Sequence, residues 1–298
     1  MSPHIPPRDA IAVIAGMPRS GTTFLYHNLQ KHPAVFVPYR KELEFFSYYH
    51  DKGPEWFLDH YRDMAPGQVG FDIAPKYFWL YPVIERLKAF NPDIRVILGV
   101  RDPVELALSW YAQYSTFNLS MPPFEDFVRH YTLTRLGREI HVSLADGHIP
   151  RMLDAYREAF GDNLLLYDYR LFRKNPLAVM QAIESFAGLD PWFSGDNFDN
   201  IVINASGRKN IKLLSWILSR EYVITTIRTV FPERLIRQVK NRFDAMSTRP
   251  AKRETSFPPP ERIESAERLL GDQRGKVLGC MDASGLMLGS GKPFAPGR

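Results

Sequence analysis

The 298-residue chain is 45% hydrophobic and 24% charged, with a formal net charge of +5 and one cysteine. That length and apolar content supply the core of a single α/β domain, the basic excess suits a protein that handles anions, and Cys280 alone excludes an internal disulfide framework or a multi-cysteine zinc site. No stretch approaches the roughly 18 apolar residues of a membrane span, no apolar signal region follows Met1, and no repeat or basic low-complexity tail appears, so a soluble, cytoplasmic protein without a membrane span or a nucleic-acid partner is expected.

In chain order, short apolar runs alternate with helical patterns. Strands are predicted at 11–15, 35–37, 70–73, 95–100 and 164–167, and helices at about 21–31, 54–63, 79–90, 103–116, 124–131, 149–160 and 175–187. Short buried strands alternating with helices predict a parallel sheet covered on both faces. Right-handed crossovers then bring the loops at 16–23, 39–46 and 101–109 to one sheet edge, where open α/β sheets bind ligands. Beyond Leu189 the pattern becomes a loop, then amphipathic helices at 209–221 and 232–245, an exposed connector at 247–260 and a last helix at about 260–273. The Gly- and Pro-rich tail after Asp282 is expected to be irregular. The fold class is thus α/β, a P-loop-type central parallel β-sheet flanked by helices with a mostly helical C-terminal part. One domain spans 1–298, with a nucleotide-binding core at about 10–190, helices at about 205–275 and a tail at about 283–298.

The first strand feeds Gly16-Met-Pro-Arg-Ser-Gly-Thr-Thr23, which opens directly into a helix. Such a loop aims unpaired backbone N–H groups and the positive end of a helix dipole at one point, a cradle for phosphate. The triphosphatase pattern G-x-x-x-x-G-K-[ST] is met at Gly16 and Gly21, but Thr22 stands where its lysine belongs, and Arg19 is the loop's only cation. The plainer alternative is an ordinary strand-to-helix turn. His32, His50 and His60 lack ligand spacing and are expected to be structural, with His32 completing a helix end. No G-x-S-x-G elbow is present.

Five motifs follow one another: P-R-S-G-T-T-x-L from Pro18, H-P at His32, K-E-x-x-F-F from Lys41, A-P-x-Y-F from Ala74 to Phe78, and R-D-P-x-x-x-x-x-S-x-Y from Arg101 to Tyr111. Together they resemble the sulfotransferases that use 3′-phosphoadenosine 5′-phosphosulfate (PAPS), above all the heparan sulfate N- and 3-O-sulfotransferase branch and its bacterial relatives. The P-R-S-G-T-T form is also similar to the tyrosylprotein enzymes, which carry arginine where the heparan sulfate enzymes carry lysine. The resemblance implies PAPS as donor co-substrate, 3′-phosphoadenosine 5′-phosphate (PAP) as product and no required metal. It makes Arg19, Ser20, Gly21, Thr22 and Thr23 the 5′-phosphate loop, with Arg19 also acting on the leaving group, and Arg101 and Ser109 the 3′-phosphate pair. Pro103 suits a helix start that carries Ser109 about two turns on; a local Arg101–Asp102 ion pair is the rival reading.

Glu42 aligns with the family's general base, beside an apolar Phe45-Phe46 pair expected to raise its pKa. Glu44 is its rival, and Lys41 is a candidate partner for Glu42 or substrate. Gly207, Arg208 and Lys209 are candidates to close over the nucleotide, and Tyr77, Phe78 and Trp79 to line an acceptor channel, although aromatics at that density more often form core. Ile73 departs from the heparan sulfate enzymes, which have a lysine there. The expected activity is transfer of a sulfuryl group to a hydroxyl or amine of a small-molecule, lipid or carbohydrate acceptor. A small-molecule or nucleotide kinase with a variant loop, needing magnesium, and a non-catalytic nucleotide-binding module are the alternatives.

Overall fold

The computed structural model describes residues 6–117, 121–135, 138–199, 258–281 and 284–295. Its frame is a six-stranded sheet in the order β2-β3-β1-β4-β7-β8, with β1 at Ile11–Gly16, β2 at Val35–Phe36, β3 at Val69–Ile73, β4 at Arg95–Val100, β7 at Leu164–Asp168 and β8 at Leu286–Leu288. The five predicted strands are β1, β2, β3, β4 and β7, and all their pairings are parallel.

Alternation along these strands sends side chains to two layers. Ile11, Val13 and Ala15 of β1, Val96 and Leu98 of β4 and Leu164 and Leu166 of β7 pack on one face. There they meet α3 (Tyr81–Phe90), α4 (Pro103–Phe117), α6 (His148–Phe160) and α9 (Pro260–Leu278). Ala12, Ile14, Ile97, Leu165 and Tyr167 face the other way, onto α1 (Thr22–Leu29) and α8 (Pro176–Phe186). Both faces are buried, which is why the strands read as continuous apolar runs. Short helices α2 (Gly53–Asp59), α5 (Phe124–His130) and α7 (Tyr169–Lys174) are the remaining α-helices among the described residues.

Four features differ from expectation. The tail is not wholly irregular, because β8 pairs antiparallel with β7, with Leu165 opposite Leu288 and Tyr167 opposite Leu286. A two-stranded hairpin, β5 (Tyr131–Arg135) with β6 (Arg138–Val142), follows α5. The helix expected from 79 begins at Tyr81, because residues Pro75–Trp79 form a 3-10 turn first. The last helix runs on to Leu278. The predicted helices at 209–221 and 232–245, and Gly207, Arg208 and Lys209, lie outside the described residues.

Histidine 32 ends α1 as a buried link. Its Nδ1 accepts the Ala34 N–H at 3.1 Å, so Nε2 carries the proton and donates to Glu184 Oε1 at 3.0 Å. His60 Nδ1 likewise donates to the Trp56 carbonyl at 2.8 Å. Among the described residues no helix is long and apolar enough to cross a membrane.

Candidate active site

The phosphate loop leaves β1 where its register against β4 shifts, between Ile14 and Gly16. Gly16 is required there: a Cβ would lie 2.7 Å from Phe78 Cβ and 2.8 Å from the Pro75 carbonyl, so its absence lets the turn after β3 pack against the loop. Gly21 caps α1 with φ +90°, and a Cβ would fall 2.5 Å from the Phe172 ring. The N–H groups of Thr22 and Thr23 lie in the first turn of α1, where no helical carbonyl precedes them. Ser20 is turned inward: it is buried, Tyr167 Oη donates to its carbonyl at 2.7 Å, and its N–H bonds the Met17 carbonyl at 3.3 Å.

The loop and the distant arginine–serine pair come together. Arg19, held at φ +64°, donates from Nε to Ser109 Oγ at 3.0 Å, and Arg101 Nη1 donates to the Arg19 carbonyl at 2.5 Å. The Arg101 guanidinium lies 4.2 Å from the Tyr169 ring centroid and reaches Glu105 at 3.4 Å, while its Nε is buried with no partner among the described residues. Burial lowers the pKa of both guanidiniums, and the Arg101 charge lowers that of Arg19 further. Two largely desolvated cations close together are poised to gain from an anion.

The rival Arg101–Asp102 pair does not form. Asp102 Oδ1 instead accepts the N–H groups of Val104 and Glu105, at 2.8 and 3.2 Å, capping α4. Its Oδ2 takes Arg274 Nε of α9 at 2.5 Å. Arg101, just ahead of this firmly capped helix, thereby turns toward the loop.

A second cluster adjoins the first. Segment 39–46 crosses the end of β3, where the Glu42 N–H bonds the Ile73 carbonyl at 3.2 Å. Glu42 and Glu44 both adopt left-handed backbone, at φ +62° and +56°, a conformation that costs a non-glycine residue about 1–2 kcal/mol and gathers at functional sites. Lys41 Nζ donates to Thr23 Oγ1 and to Glu42 Oε1, both at 3.2 Å, joining this cluster to the phosphate loop. Lys76, from the turn after β3, donates to Glu44 Oε1 at 2.8 Å and lies 3.9 Å from Glu42 Oε2. The Glu44 side chain is 0% exposed and that of Glu42 29%, so Glu42 is the carboxylate an incoming molecule can reach. Among the described residues it pairs with the ammonium groups of Lys41 and Lys76 rather than with the apolar surface expected, because Phe45 and Phe46 are spent in the core on Phe57 and Phe90.

Beneath lies Asp72. Its Oδ2 accepts from Tyr77 Oη at 2.8 Å, and Tyr77 Oη in turn accepts the Phe46 N–H at 3.2 Å. Burial pushes the Asp72 carboxyl up to about 7 against the lowering effect of the Tyr77 bond, and the Glu44 and Glu42 charges add to the rise. Tyr77, Phe78 and Trp79 do not line a channel: all three are buried, with Phe78 stacked on Tyr156 and Trp79 on Trp110. Lys76, Asp72 and Tyr169 are site residues that the motifs did not flag. Only Lys76 had a signal, as a cation inside A-P-x-Y-F.

Residues 9–212 match the sulfotransferase domain family, well over half of the chain, and the chain belongs to that family. Heparan sulfate glucosamine 3-O-sulfotransferase 3B1 of Homo sapiens is 36% identical over 114 residues, 38% of this chain and 29% of that protein. The membrane-associated sulfotransferase kil1 of Dictyostelium discoideum is 32% identical over 154 residues, 50% of this chain and 31% of that one. The chain thus spans less than a third of the length of these two curated relatives. Among solved structures, a sulfotransferase from Alicyclobacillus acidocaldarius shares the fold with a TM-score of 0.51 at 17% identity, over 64% of this chain and 85% of that one.

Proposed function

We propose that the chain transfers a sulfuryl group from PAPS to a hydroxyl or amine of a small-molecule, lipid or carbohydrate acceptor, releasing PAP. The observation that carries this reading is the meeting of Arg19, Arg101 and Ser109 at the mouth of the phosphate loop, one lysine away from Glu42. In this reading the amides of Gly21, Thr22 and Thr23 and the Arg19 guanidinium hold the 5′-phosphate, and Arg101 with Ser109 the 3′-phosphate. Glu42 accepts the proton of the attacking O–H or N–H as the new bond to sulfur forms. The sulfur–oxygen bond to the 5′-phosphate breaks with its electron pair passing to that phosphate, where Arg19 meets the growing charge. The carbohydrate option draws support from the heparan sulfate glucosamine enzymes among the relatives.

Thermal denaturation with PAP, compared with ATP plus magnesium, tests the donor class. A ligand at about 100 times its Kd that binds only the native state adds about 2.7 kcal/mol, a rise of several degrees in Tm. Stabilisation by PAP and not by ATP–magnesium is expected; the reverse would contradict PAPS as the donor.

A further inference from the structure

Lys76 is a cation of the second cluster to which the reaction above gives no task. Resting on that reading, we propose that Lys76 is a positioning residue for Glu42: its ammonium, held from behind by the buried Glu44, keeps the Glu42 carboxylate ionised and oriented to receive a proton.

The geometry is a row of alternating charge. Thr23 Oγ1 holds Lys41 Nζ at 3.2 Å, Lys41 meets one oxygen of Glu42 at 3.2 Å, and Lys76 faces the other at 3.9 Å while bonding Glu44 at 2.8 Å. Among the described residues, the charged groups around Glu42 include Lys41 and Glu44 on its own segment, Lys76 on the turn after β3, and Asp72 on β3. The 3.9 Å gap is too long for a hydrogen bond but short for two opposite charges, so Lys76 acts on Glu42 as a fixed field. Lys76 does not serve as the base itself. Burial would lower its pKa, but the charges of Glu44 and Glu42 and the Glu44 hydrogen bond outweigh burial and raise it. Glu44 gains from the same arrangement, because a buried carboxylate needs a counter-charge. The close packing of the Pro75–Trp79 turn against Gly16 fixes where Lys76 starts.

The test is a carbon-13 NMR titration of the full chain labelled at glutamate carboxyl carbons, with the Glu42 signal assigned by its loss in Glu42→Gln. In Lys76→Met, Glu42 should bind protons about tenfold more tightly than in the wild type, moving its midpoint upward, since a nearby opposite charge favours the ionised form. Lys76→Arg should return it toward the wild-type value. Should Lys76→Met fail to fold because Glu44 is stranded, the double variant Lys76→Met with Glu44→Gln removes both charges and should move Glu42 the same way by less. An unchanged Glu42 midpoint in the folded variants would overturn the proposal. PAP-induced stabilisation should be unaltered throughout. Its absence in the wild type would instead count against the sulfuryl-transfer reading, which the titration does not touch.

Discussion

Replacing Asp72 by asparagine keeps the shape of the side chain and removes its charge. In the folded chain burial raises this carboxyl from 3.8 to about 7, whereas in the unfolded chain it ionises near its ordinary value. The native state therefore binds the proton more tightly, and the stability linked to it is complete below about pH 4 and is lost as pH rises toward about 7. At 1.36 kcal/mol per tenfold in affinity, the whole rise corresponds to about 4 kcal/mol, of which about 3 kcal/mol falls between about pH 5 and 8. Asparagine carries no such cost and can still accept the Tyr77 hydroxyl that bonds Asp72 at 2.8 Å. Urea denaturation of both proteins across that range should show the asparagine variant gaining on the wild type by about 3 kcal/mol as pH rises. Parallel stability curves would refute the reasoning, because they would mean that Asp72 titrates alike in both states.

Glu42→Gln should retain PAP-induced stabilisation and lose turnover by about 10²–10⁴-fold, the usual contribution of a positioned base; labelled-donor assays that find turnover unchanged would remove Glu42 from the mechanism. Gly16→Ala should destabilise by about 1–3 kcal/mol, since the new methyl meets Phe78 Cβ and the Pro75 carbonyl at a backbone φ of +140°. A Tm equal to wild type would show that the loop and the turn after β3 can part without cost.

Much of the frame was legible because both faces of the sheet are buried. A strand such as Ile11–Gly16, apolar throughout, announces itself in either direction of its alternation. The convergence of the loops at 16–23, 39–46 and 101–109 followed from parallel strands and crossover handedness, and the Arg19–Ser109 and Lys41–Thr23 bonds span those loops. Strand β8 was not legible, since three residues in a Gly- and Pro-rich tail become a strand only by pairing with β7. The hairpin of β5 and β6 was hidden for a related reason: both strands are short and rich in charge and threonine. Within the site, motif order located Glu42 and Arg101 but not what surrounds them. Phe45-Phe46 looked like an apolar wall for Glu42, yet left-handed backbone at Glu42 and Glu44 separates the carboxylates from the rings and brings Lys76 between them. Arg274 settles Asp102 from about 170 positions away, a distance at which no local pattern reads.

Calorimetric titration of the wild type and Arg101→Ala with PAP and with adenosine 5′-monophosphate addresses the claim that the phosphate loop and the Arg101–Ser109 pair hold one nucleotide. The wild type should prefer PAP, and Arg101→Ala should weaken PAP by about 10–100-fold, the worth of a hydrogen bond to a charged group, while leaving the monophosphate nearly unchanged. Equal losses for both nucleotides, or no preference for PAP in the wild type, would contradict it.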